Sequence, residues 1–83
     1  MSADIIPFPL HRRRAFVQRH AARMAELPSK SAENHLRRQL DIQIETLTKR
    51  GIPPEVIAQE ICMLETAIRA ELWWAVMTPG GAG

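Results

Sequence analysis

The sequence is short of the groups that staple a small protein or arm an active site. Of its 83 residues only Cys62 is a cysteine, so no disulfide can form within the chain and nothing argues for an oxidising compartment. Within a helical pattern that lone cysteine reads as a small, partly buried apolar side chain. Apart from Gly51, the glycines fall in the last four residues, which leaves no glycine-rich loop to cradle a phosphate. His11, His20 and His35 are the only histidines, and none has a second histidine four residues on or a cysteine at ligand spacing, so no metal and no cofactor are expected. Glu60, Glu65 and Glu71 fall on different sides of one helical stretch without a glutamate–histidine pair, which argues against carboxylate catalysis and against an enzyme.

Long apolar runs are missing too. No stretch reaches the roughly 18 residues needed to span a bilayer, so no integral membrane segment is expected. The opening MSADIIPFPLHRRR is not a secretory signal, because its arginines follow the apolar stretch and two prolines interrupt it. A basic, acid-poor start can mimic an organellar transit peptide, but the Pro7-Phe8-Pro9 interruption speaks against that, and a cytoplasmic protein is expected.

Acidic residues are absent where basic ones crowd. Residues 11–24 carry Arg12, Arg13, Arg14, Arg19 and Arg23 with no acid, whereas Arg69 alone opposes Glu55, Glu60, Glu65 and Glu71 from residue 53 onward. The net charge is only +2, so the asymmetry matters more than the total. Guanidinium groups bind phosphates and carboxylates through paired hydrogen bonds. The five arginines are therefore candidate contacts for a partner or for nucleic acid. The opposing reading is that they form a solvated face, or lie against the acidic last helix. A basic amphipathic helix can also lie on a membrane surface, but here its apolar side is narrow and holds His20.

What remains is helical patterning, and it predicts an all-α fold of three helices in one domain over 11–77. An extended N-terminal arm (1–10) precedes it and a flexible tail (78–83) follows. Pro7 and Pro9 bias the arm away from helix, yet it carries the large apolar Ile6 and Phe8, which suits docking on the chain's own helices or on a partner. A first, basic helix is expected over about residues 11–26, with Phe16, Val17, His20, Met24 and Leu27 on one side. A second is expected over about 31–50, capped by Ser29 or Ser31, with an apolar stripe of Leu36, Leu40, Ile44 and Leu47. Gly51 is placed to close it in the left-handed conformation. A third helix starts at Pro53-Pro54-Glu55 and ends near Met77, with Ile57, Ile61, Leu64, Ile68, Leu72 and Ala75 in a narrow arc. The link Gly51-Ile52-Pro53 is so short that helices two and three must form a long antiparallel αα-hairpin.

That hairpin cannot bury everything it carries. A second, weaker flank of the third helix holds Val56, Met63, Ala67 and Trp74, and the first helix or another subunit must cover it. Neighbouring residues on a helix point about 100° apart, so Trp73 faces nearly opposite the stripe, as does Ile42 on its own helix. Ile6, Phe8, Val56, Met63, Trp73 and Trp74 are thus candidate interface residues. Small scaffolds without disulfides or metals need good packing or self-association. The expected function is that of a non-enzymatic helical interaction protein. It either self-associates, as a homodimer, or docks on a protein partner as a regulator or inhibitor. The alternative is a nucleic-acid-associated protein working through its arginines.

Three motifs in order, Ile6-Pro7-Phe8-Pro9-Leu10 followed by Arg12-Arg13-Arg14, then Gly51-Ile52-Pro53-Pro54-Glu55, then Ala67-Ile68-Arg69-Ala70-Glu71-Leu72, carry a family resemblance. The chain resembles, over most of its length, a family of short alphaproteobacterial proteins common in rhizobia and their relatives and classed as a domain of unknown function. In that family an aromatic pair often opens the second helix, where this chain has Asn34-His35. The resemblance implies a bacterial source and this helical organisation, and brings no activity or binding residues.

Overall fold

The computed structural model describes residues 10–77, with the side chains of residues 12–77; the expectations for the arm (Ile6 and Phe8 included) and for the tail lie outside the described residues. Three helices follow one another: α1 (Leu10–Ala25), α2 (Ser29–Lys49) and α3 (Pro54–Met77). The first starts one residue before its expected position and the second two residues before.

The helix ends have clear local causes. Pro28 stands at the N-cap of α2 with φ −59° and ψ 154°, an extended conformation that proline favours, and its carbonyl accepts the Ala32 N–H at 2.8 Å. Neither Ser29 nor Ser31 caps the helix through its side chain, contrary to expectation, because Pro28 turns the chain into helix directly at Ser29. At the far end Gly51 adopts φ +83°. The Gly51 N–H reaches the Thr48 carbonyl (3.0 Å) and the Ile52 N–H the Leu47 carbonyl (3.1 Å). This double closure satisfies two of the orphaned carbonyls and is the reason a residue without Cβ sits there. In α3 the Pro53 carbonyl accepts from both Val56 and Ile57 at 3.0 Å, so the Pro53-Pro54 pair both breaks the chain and starts the next helix.

Cross-links between helices fix their directions. Glu33 near the start of α2 meets Arg69 near the end of α3, which makes the hairpin antiparallel. Arg13 near the start of α1 meets Glu60 near the start of α3, so these two run parallel, while α1 and α2, joined by the short link at residues 26–28, run antiparallel. The result is an up-down-up three-helix bundle. Its core joins Phe16, Val17, Ala21 and Met24 of α1 to Ala32, Leu36 and Leu40 of α2 and to Leu64 and Ile68 of α3. Leu47 and Ile57 are buried beside the turn.

The bundle departs from the hairpin-centred expectation in one respect: α1 packs against α3 more extensively than α2 does. Helix α1 therefore covers part of the second flank of α3, burying Glu60 and packing Ala67 against the core, while Val56 is half-buried. On the other side of the hairpin Ile44, expected in the core stripe, is 39% exposed, and Ile61 is only partly buried. Ala75 is exposed as well, because α3 runs on past the start of α2.

Candidate interaction surface

The five candidate arginines, all on α1, separate once the helices are packed. Arg13 turns inward, and its Nε and a terminal nitrogen donate to the two carboxylate oxygens of Glu60 at 2.9 and 2.7 Å. The Glu60 side chain is 5% exposed and that of Arg13 22%. Arg13 is thus a structural tie between α1 and α3 rather than a free contact for a partner. Arg23 pairs with Glu26 one turn on at 3.3 Å, with both side chains in solvent, where such a pair contributes little. Arg12, Arg14 and Arg19 are exposed and form no ion pair among the described residues. Arg12 and Arg19 line a groove of about 360 Å³ between α1 and α2, together with Phe16, Gln43, Thr46 and Arg50. Arg50 comes from the C-cap of α2 and was not a sequence candidate; nothing in its spacing relates it to α1.

Beside that groove lies a histidine pair that sequence reading also missed. His20 Nδ1 and His35 Nε2 are 2.9 Å apart, and the His20 ring lies 4.5 Å from the Phe16 ring, centre to centre. One imidazole must donate and the other accept, so the contact requires at least one neutral ring. Burial, helped by the neighbouring His35 and Arg19, pushes the pKa of His20 below the ordinary histidine value. Among the described residues no group of three possible metal-ligating side chains comes together.

The face of the hairpin turned away from α1 carries a groove of its own. At its upper end Arg69 donates to both Glu33 oxygens at 2.8 Å and to Glu65 at 3.1 Å. Those hydrogen bonds hold the Glu33 carboxyl below the usual glutamate range. Beneath this network the groove between α2 and α3 becomes apolar, with a volume of about 540 Å³ lined by Ile44, Ile52, Ile57, Ala58, Ile61 and Cys62. It continues upward into a polar stretch of about 380 Å³ that shares Ile44, Ile61 and Glu65 and adds Arg37 and Asp41. The Cys62 thiol is exposed rather than partly buried as expected.

The apolar interface candidates fall elsewhere. Met63 is 50% exposed and Trp73 and Trp74 are each 61% exposed. Val56 is half-buried. Trp73 and Trp74 join Val76 and Met77 at the exposed end of α3, away from the groove. The sequence placed Ile44 and Ile61 within the apolar stripes of α2 and α3 and so did not reveal the groove. Which edge α1 would leave open was not readable.

The fold and its surfaces define a small all-α protein organised as a three-helix bundle. Over residues 1–83 the chain matches a family described as Family of unknown function (DUF6074), and it belongs to that family. No curated protein and no solved structure matches it. Among the described residues, no helix is long and apolar enough to cross a membrane.

Proposed function

We propose that this chain is a non-enzymatic bacterial interaction protein of the cytoplasm, and that the α2–α3 groove is the surface through which it self-associates or docks on another protein. The observation that carries this reading is the apolar floor of Ile44, Ile52, Ala58 and Ile61, left open on the side of the hairpin that α1 does not cover. Apolar surface in a concave, polar-rimmed strip is where binding free energy is gained on association. The buried polar side chains are satisfied within the bundle, Glu60 by Arg13 and His20 by His35. A photo-crosslinking residue placed at Ile44 in living cells tests the reading. An adduct of defined mass that disappears on Ala58→Glu is the expected result, and absence of any adduct would sink the proposal.

A second reading has its own observation, the meeting of Arg12, Arg19 and Arg50 in the α1–α2 groove. Three guanidinium groups from two helices suit a phosphate backbone better than one arginine-rich helix does. That reading requires salt-sensitive binding to DNA or RNA that is lost when the three become alanine, while Arg23→Ala has little effect.

A further inference from the structure

Resting on the interaction reading, we propose that the occupant of the α2–α3 groove is a second copy of this chain, packed about a two-fold axis parallel to α2 and α3. The two hairpins would then form a four-helix bundle in which α2 of each protomer lies against α3 of its partner.

The argument is one of register. The turn at Gly51 and the Glu33–Arg69 pair fix which residues of α2 and α3 stand at the same height. One turn along α2 from Glu33 is Arg37, and one turn back along α3 from Arg69 is Glu65. Two turns further in the same directions are Ile44 and Ala58. A two-fold axis parallel to the helices preserves height and exchanges the positions of α2 and α3. It therefore brings Arg37 of each protomer against Glu65 of the other, twice, and Ile44 against Ala58 and Ile61, also twice. The face is self-complementary as an isologous interface must be. Arg37 makes no ion pair among the described residues, while Glu65 uses one oxygen on Arg69 and has the other to offer. All four adjacent helix pairs would run antiparallel, which aligns their dipoles favourably.

The size is adequate and no more. A face about 25 Å long and two helices wide, about 20 Å, offers on the order of 500 Å² per protomer, near the lower bound for a specific interface. The expected dimer is therefore a reversible one that populates at tens of micromolar, and it covers the apolar strip that this disulfide-free chain leaves open.

Charge exchange tests the pairing. In Arg37→Glu the dimer would set two carboxylates against each other at both copies of the contact. In Glu65→Arg it would set two guanidinium groups against each other, again at both copies. Each variant alone should dimerise with an affinity about tenfold weaker than that of the original chain. An equimolar mixture of the two restores both opposite-charge pairs across the heterodimer and should regain the affinity. A pairing within one chain cannot produce this rescue on mixing. Sedimentation equilibrium reads all four samples, and helical circular dichroism confirms that each variant is folded. The original chain should sediment at twice its 9.4 kDa mass. A monomer at about 200 micromolar, well above the expected dissociation constant, overturns the proposal, and so does a mixture no tighter than either variant. The photo-crosslink at Ile44 separates this failure from that of the underlying reading. A monomer that forms a groove-dependent adduct with a different protein refutes the second copy only, whereas a monomer with no adduct refutes both.

Discussion

Removing either member of the Arg13–Glu60 pair should destabilise the bundle severely, and the two removals should not be equal. Glu60 is the more deeply buried partner, 5% exposed at its side chain against 22% for Arg13. Arg13→Ala leaves a buried carboxylate without its guanidinium partner, a situation that typically costs about 3–5 kcal/mol. Glu60→Ala leaves a guanidinium that can swing partly into water, so its cost should be smaller, about 2–3 kcal/mol. A domain of this length has roughly 4–12 kcal/mol of stability in all, so either change removes a large share of it. At about 4–8 °C per kcal/mol for a domain of this size, Arg13→Ala should lower Tm by at least about 12 °C. Replacing both by Met and Leu, which removes the charges and keeps the volume, should recover most of the loss. Urea denaturation of these proteins at pH 7 measures each value, and adding the double variant Arg13→Ala/Glu60→Ala closes a double-mutant cycle that gives the coupling. Costs below about 1 kcal/mol for both single variants would refute the idea that this pair ties α1 to α3.

Three further outcomes follow from the geometry. The depressed pKa of His20 means that the unfolded chain takes up a proton there before the folded one does. The stability due to the neutral ring is therefore fully present above the unfolded pKa, about 6.5, and is lost as the pH falls below it; the urea midpoint should drop between pH 7 and pH 5, and His20→Leu should flatten that slope. Gly51→Ala should cost about 1 kcal/mol, read as a lower Tm, from the φ of +83° alone, since a Cβ there meets nothing within 4 Å. Leu64→Ala, at a fully buried site, should cost about 2–5 kcal/mol in the same denaturation assay, whereas Met63→Ala, at a site 50% exposed, should stay within about 0.5 kcal/mol.

The sequence by itself determined the elements. Pro28, Gly51 and the Pro53-Pro54 pair act through local backbone sterics, which operate whatever the rest of the chain does. The three helices consequently end within two residues of where those punctuation marks place them. The apolar spacing also named most of the core, because burying one face of each helix is the dominant local demand. Tertiary structure alone decided how α1 docks, and with it the meaning of the charges. Five arginines on one helix look equivalent in sequence. Packing against α3 turns Arg13 onto buried Glu60, and packing against α2 brings Arg12 and Arg19 beside Arg50. Ile44 and Ile61 belong to the apolar stripes, but whether each becomes core or surface depends on which side of the hairpin α1 chooses. A three-helix bundle has two such sides, and the choice depends on contacts between residues as distant as Arg13 and Glu60, which no local periodicity encodes.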